Sequence, residues 1–323
     1  MKLVETLVAH DEAELLDAHL AFQLNAGVDV VLAAATRADG AVADVLDSYA
    51  QAGGVVTIRP EGPRSEATLR ADLVRRAADE HDADWVIESR PSEFWLPRGE
   101  SLRDVLLAIP PRYFVVQALR RPLVARSGDG SPLAERLTLR PSVHALRDGA
   151  RGPLTSLLRP VLRARPGLEP APPDRLPDGQ PLRAWYPIEV LTVPVGEGAA
   201  LPLGLAGRPI DDDEAEILLA AGVLVRDERL HDVLAALRRG NDSGGTAGAR
   251  GYSVPGELES GLALFRIPDI VDDAAYAGEC AEVGEVDLEQ IERYITELER
   301  RIAWLERRLW PRVRRRLRAI VRR

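Results

Sequence analysis

Short apolar runs alternate with longer amphipathic ones through the first 120 residues. Leu3 to Val8 predicts a strand, Glu12 to Asn25 a helix closed by Gly27, and Val28 to Ala33 a second strand. Ala41 to Gln51 predicts a helix ending at Gly53-Gly54, Val55 to Arg59 a third strand, and Glu66 to His81 a further helix. Trp85 to Glu88 reads as a fourth strand, Ser101 to Ile109 as a helix stopped by Pro110-Pro111, and Tyr113 to Leu119 as another strand. This βαβα order calls for an α/β fold with a mostly parallel sheet and helices on both faces. Ligands in such sheets bind beyond the carboxyl ends of the strands, so the loops at 9–12, 34–40, 60–65 and 89–97 are expected on one rim.

From Arg126 to about Gly198 the pattern loosens, and proline and glycine crowd RPGLEPAPPDRLPDGQP at 165–181. A strand-like YPIEVLTVPV follows at 186–195; residues 211–239 predict two helices joined near Gly222 to Asp227, and GNDSGGTAGARG at 240–251 a flexible loop. Leu288, Ile291, Ile295, Leu298, Ile302, Leu305 and Leu309 then recur at spacings of 3 and 4, a heptad seam. Ile295 and Ile302 take a positions and Leu298 and Leu305 d positions, the arrangement of a parallel two-stranded coiled coil, although the stripe also suits a helix packed on its own domain. Pro311 kinks or ends that helix.

Charge is uneven along the chain. Eleven arginines against Glu306 give residues 300–323 a charge of +10, so the −9 of the whole chain leaves −19 for the other 299 residues. Trp304, Leu305, Leu309, Trp310, Val313, Leu317, Ile320 and Val321, with seven arginines from 312 on, make a basic amphipathic end of the kind that lies on an anionic membrane surface; the acidic body of a partner is the other fitting surface. No nucleic-acid module accompanies it. Lys2 is the only lysine, so arginine identity by itself says little, whereas arginine clustering does. A single cysteine, Cys280, excludes an intramolecular disulfide and a cysteine metal cluster and favours a reducing compartment. Acids at Glu5, Asp11, Glu12 and Glu14 interrupt any signal-peptide core, and no apolar run is long enough to span a bilayer, so the expectation is a cytoplasmic protein, peripheral to a membrane if the basic end binds one.

Three segments in order carry a family likeness: DEAELLDAHLAFQLNAGVD (11–29), DADWVIESRPSEFWLPRGESLRDVLLAIPP (82–111) and PLRAWYPIEVLTVP (181–194). Together they resemble the glycosyltransferase family 2 branch with a compact GT-A fold, over roughly residues 3–195. The resemblance implies a nucleotide-sugar donor and, at the end of the strand at 85–88, an Asp-x-Asp motif whose carboxylates hold a divalent metal against the leaving diphosphate. Arg90 and Ser92 stand at those two positions, with Pro91 between them and Glu93-Phe94 after. After the second strand the family pattern Asp-Asn-x-Ser-x-Asp-Gly is reduced to Asp39-Gly40, Thr192 stands where a histidine commonly ends a later strand, and Gln23 stands for a helix histidine. Loss confined to the ligand face while the strands are kept is what relaxed catalytic constraint predicts.

The expected architecture is therefore a nucleotide-sugar-binding half (1–125) and a proline-rich acceptor half (126–200) of a GT-A-like domain, a helical and glycine-rich linker region (201–286), and a coiled-coil helix with a basic tail (287–323). The candidate catalytic residue is Glu93, as a general base or an acceptor-orienting group, against the commoner reading of a capping or Arg-paired carboxylate. Nucleotide-sugar contacts are expected from Glu12, Asp39, Arg90 and Ser92, and acceptor contacts from Trp95 and Thr192. Arg90 has three readings: a metal surrogate on the diphosphate, a partner of Glu93 or Glu88 sealing an unused pocket, or a solvated rim residue. No divalent metal or other cofactor is expected; Asp211-Asp212-Asp213 reads as a helix cap rather than a metal site, and the five histidines lack ligand spacing. Two functions follow: a catalytically degenerate binding or scaffold protein that forms a homodimer or pairs with another transferase through 287–309 and touches a membrane through 310–323, or an active metal-independent inverting glycosyltransferase.

Overall fold

The computed structural model describes residues 1–35, 40–59, 62, 64–97, 101–128, 130, 132–142, 145, 158–170, 181–182, 187–193 and 209–241. The heptad seam and the basic end lie outside the described residues, as does Asp39. Through residue 122 the alternation seen in the sequence becomes β1 (Leu3–Ala9), α1 (Ala13–Asn25), β2 (Val30–Ala35), α2 (Ala41–Gln51), β3 (Val55–Ile58), α3 (Glu66–Asp79), β4 (Trp85–Ser89), β5 (Glu93–Pro97), α4 (Leu102–Leu107) and β6 (Val115–Pro122). After them come β7 (Val124–Ala125), a 3-10 turn at Leu133–Arg136, β8 (Leu137–Pro141), β9 (Leu158–Arg163), β10 (Pro181–Leu182), β11 (Ile188–Thr192), α5 (Asp212–Ala220), β12 (Leu224–Arg226) and α6 (Arg229–Asn241).

Local chemistry explains where the elements start and stop. Asp29 accepts the Leu3 backbone N–H at 2.7 Å and a bond from Arg103 at 3.0 Å, so the chain is still turning at Asp29 and β2 begins at Val30, two residues later than the apolar run suggests. Gly27 holds φ at +102°, the left-handed turn that lets the end of α1 swing into β2. Ser65 caps α3 through the Thr68 N–H, and Ser101 caps α4 through the Asp104 N–H.

β3-β2-β1-β4-β9-β6-β11-β5 form one sheet, with β10 beside β6 as its ninth strand. β1, β2, β3 and β4 are parallel to one another, β6 is parallel to β10 and β11, and β9 and β5 run antiparallel to their neighbours. The mostly parallel expectation holds for the first half; the second half is mixed. α1, α2, α4 and α6 contribute to the main apolar core with Leu3, Leu7, Ile87 and Trp95, while α3 packs Leu69, Leu73, Val74 and Ala77 over Val4, Val8 and Val86 on the other side. A small sheet, β12-β8-β7, packs with Ile210 and Ala215.

Three expectations are corrected here. Glu93 to Pro97, expected within the rim loop at 89–97, is a fully buried strand, because its backbone pairs antiparallel with β11. The joint between the two C-terminal helices is itself a strand, β12, held by β8. The loosely patterned stretch after Arg126 supplies β9, which sits in the middle of the main sheet between β4 and β6. Among the described residues no helix is long and apolar enough to cross a membrane.

Candidate functional site: an arginine-lined mouth

β4 and β5 are joined by only three residues, Arg90 to Ser92, yet stand four places apart in the sheet order. The sheet must curl to bring them together, and the Trp95 indole N–H donates to Ser89 Oγ at 2.9 Å across the gap. The connection is a tight turn in which Glu93 N–H donates to the Arg90 carbonyl at 2.9 Å. Pro91 sits at the second turn position, where its fixed φ is preorganised, and that accounts for the proline in this loop.

Paired residues on neighbouring strands point to the same side, so register follows one face around the curl. It runs from Ile87 to Val161 and Arg159 on β9, Ala118 and Arg120 on β6, Val190 and Thr192 on β11, and Trp95 and Glu93 on β5. The apolar members fill the curl, and Ser89, Glu93, Arg120, Arg159 and Thr192 collect at the strand ends. These are the carboxyl ends of β4, β6 and β11; of the loops expected on one rim, the one at 89–97 takes part in this cluster.

Glu93 is fully buried, and its Oε1 accepts from Arg159 through Nε at 2.9 Å and through Nη2. Its Oε2 has no hydrogen-bond partner among the described residues. Arg120 donates through Nε to Thr192 Oγ1 at 3.2 Å. Its pKa is pushed below the ordinary arginine value, chiefly by burial; Glu93 opposes that shift, while the positive charges of Arg159 and Arg90 add to it. Arg90 is exposed and its guanidinium has no partner among the described residues. The sealing pair, one of the three readings of Arg90, does not form among the described residues: Glu93 goes to Arg159, and Glu88 goes to Arg70 at 3.0 Å.

The remaining candidates are placed as follows. Ser92 is buried, and its carbonyl accepts from Val193 N–H at 2.8 Å, extending the β5–β11 ladder. Trp95 is fully buried with its N–H spent on Ser89, so it lines the interior and offers no surface to an acceptor. Thr192 sits at the mouth on Arg120. Glu12 turns its carboxylate back on the N–H groups of His10 and Asp11, both at 3.2 Å, and so organises the β1–α1 loop. Gln23 reaches the Glu93 carbonyl at 3.4 Å from α1. Asp211 caps α5 through the Glu214 N–H, as the helix-cap reading expected, and Asp212 pairs with Arg126.

Sequence reasoning missed Arg120 and Arg159. Arg120 follows the apolar run of β6 directly, a detectable signal, whereas Arg159 lies in a strand that the pattern does not reveal. A second buried group was also missed: Glu189 accepts from Arg121 at 2.8 Å and from Arg229, while Asp227 binds Arg229 and accepts from Arg140 Nε at 3.0 Å. It fastens α6 to β6, β8 and β11. Burial alone would raise Asp227, but the hydrogen bonds and charge of Arg229, with Arg140, hold it below the ordinary carboxylate value. Burial alone would lower Arg229, and Asp227 and Glu189 together raise it.

The metal implied by the family resemblance does not fit the residues present. One of its two ligand positions carries a permanently charged guanidinium, and the other a buried serine. Among the described residues no group of three or more His, Cys, Asp or Glu is arranged to hold an ion.

No protein-family model matches the chain, and no curated protein is significantly similar to it. Among solved structures, S. aureus TarS 1-349 in complex with UDP-GlcNAc is similar at 13% identity over 75% of this chain and 73% of that one, with a TM-score of 0.37. TarS 1-349 in complex with UDP gives 11% identity, 50% and 47% coverage and a TM-score of 0.35, so this chain covers about half of that length. HddC from Yersinia pseudotuberculosis gives 10% identity, 40% and 65% coverage and a TM-score of 0.28.

Proposed function

We propose that this chain is a glycosyltransferase-family-2-like protein of GT-A form that binds a nucleotide sugar at the mouth of its curled sheet and serves as a binding or scaffold partner rather than as a transferase. The observation that carries the reading is the state of Glu93. The one carboxylate at the expected base position is buried and held by Arg159, so it serves as a counter-ion rather than a proton acceptor within reach of a hydroxyl. The motif positions beside it have lost their metal ligands while the strands that present them are intact. Assembly through the heptad seam at 287–309, as a homodimer or with an active transferase, and contact of residues 310–323 with an anionic membrane complete the scaffold reading.

One observation favours the rival, a metal-independent inverting transferase with Arg90 on the diphosphate. Glu93 Oε2 carries no hydrogen bond among the described residues, so it stands ready to accept a proton if the mouth opens. Calorimetric titration of the full chain with UDP, GDP, dTDP and CDP and their sugars, with and without Mg²⁺ or Mn²⁺, separates the readings when nucleotide release is followed in parallel. Binding without turnover is expected. Turnover that disappears in Glu93→Gln establishes the rival, and no binding by any nucleotide or sugar nucleotide removes both.

A further inference from the structure

We propose that Arg90, Arg120 and Arg159, gathered around Glu93, form a metal-free site for the diphosphate of a nucleoside diphosphate, with Glu93 as the positioning residue that aims Arg159. The inference rests on the nucleotide-sugar reading above and names the groups that would do the binding.

Charge comes first. Three guanidinium groups share the mouth with one carboxylate, and Arg120 is close enough to Arg159 and Arg90 for both to work against its positive charge. That crowding is unfavourable without an anion and is relieved by one. Hydrogen-bond capacity points the same way. Each guanidinium carries five N–H donors. Arg159 spends Nε and Nη2 on Glu93, Arg120 spends Nε on Thr192, and Arg90 spends none among the described residues. The terminal nitrogens of Arg120 and Arg90 are thus unspent donors in the planar fork that suits phosphate oxygens.

Position completes the argument. Arg90 occupies the turn after β4, Arg120 lies near the end of β6, and Arg159 lies near the start of the antiparallel β9, so the donors converge from three strands on the rim where this fold class binds its ligands. A purely structural role explains the Arg159–Glu93 pair. It does not explain why Arg120, attracted by Glu93 but opposed by Arg159 and Arg90, joins a mouth that holds one carboxylate, or why an exposed arginine begins the turn above them.

The test uses the full chain and inorganic pyrophosphate as the minimal probe, beside UDP, GDP, dTDP and CDP, each titrated calorimetrically in EDTA and then with excess Mg²⁺. Pyrophosphate is expected to bind in EDTA and less tightly with Mg²⁺, because the metal neutralises the charge that the arginines read. Arg90→Gln and Arg120→Gln should each weaken binding by about tenfold or more, the range of a lost charge-assisted hydrogen bond. Arg226→Gln, which removes an exposed arginine paired with Glu216, should leave binding unchanged. Arg90 is exposed and unpartnered among the described residues, so its variant should melt with the parent and keep the test interpretable even if Arg120→Gln is destabilised.

Absence of pyrophosphate and nucleoside diphosphate binding overturns the site, as does binding that needs Mg²⁺ or survives Arg90→Gln and a folded Arg120→Gln. Nucleotide-sugar binding that survives both substitutions overturns this site but leaves the functional reading standing. Pyrophosphate binding lost in Arg90→Gln, with no nucleotide bound by the parent, does the reverse.

Discussion

Glu189→Gln isolates what the second buried ion group contributes. Glu189 and Arg121 are exposed by only 3% and 2%, and Arg229 also donates to Glu189. The substitution keeps size and one acceptor oxygen but removes the charge that faces two buried cations. Taking away one partner of a buried ion pair costs about 3–5 kcal/mol, since the remaining charge stays desolvated. Asp227 still holds Arg229, and the amide oxygen still accepts one bond, so the lower end, about 3 kcal/mol, is expected. Glu216→Gln supplies the contrast: it makes the same chemical change in a pair exposed by 60% and 52%, where about 0–1 kcal/mol is expected. Urea unfolding of both variants, followed by far-ultraviolet circular dichroism and tryptophan fluorescence, measures the difference. A loss below about 1 kcal/mol in Glu189→Gln, or equal losses in the two, would refute the claim that desolvation sets the scale here.

Acid should release the same group. Because the folded pKa of Asp227 is depressed, its contribution is fully present above the ordinary value of 3.8 and is lost as pH falls below it through the folded value; the acid limb of stability in Asp227→Asn should accordingly be flatter than in the parent below about pH 4, measured by urea midpoints against pH. Gly27→Ala places a side chain at φ +102° with its Cβ 3.0 Å from Ser101 Cβ, so a loss of at least about 1–2 kcal/mol is expected in the same unfolding assay, and a neutral result would mean that the turn relaxes. If the heptad seam pairs two chains, Leu298→Lys with Leu305→Lys should convert a sedimenting dimer of the full chain to monomer, whereas an unchanged sedimentation coefficient would remove the homodimer.

The first half of the fold was legible because each element there has a single environment. α3, for example, buries Leu69, Leu73 and Ala77 and exposes Thr68, Arg75 and Asp79 on the opposite side, a helical period. The second half was harder to read because its strands break the usual pattern. β9 is LRPVLR, with a proline and two arginines in a strand at the centre of the sheet. The structure tolerates Pro160 where pairing with β4 has already ended at Val161, and Arg159 finds Glu93. β5 was invisible for another reason: its partner, β11, lies about a hundred residues along the chain, and only the curl reveals that a buried strand follows the turn.

The candidate site shows the same division between what periodicity carries and what only the sheet can assemble. Arg120 and Arg121 are neighbours in β6, and composition treats them alike. Strand alternation sends them to opposite faces: Arg121 meets Glu189 in a group where each carboxylate binds two arginines, while Arg120 enters the mouth, where one carboxylate is held by Arg159 and donors remain unspent. A buried ion group in which two carboxylates bridge three arginines, every arginine held by a carboxylate, fastens elements together and gains little from an added anion. A cluster of three arginines with one carboxylate, at the carboxyl ends of strands, gains from one. That difference in charge balance, rather than the presence of arginine, is what distinguishes the rim of this sheet from its framework.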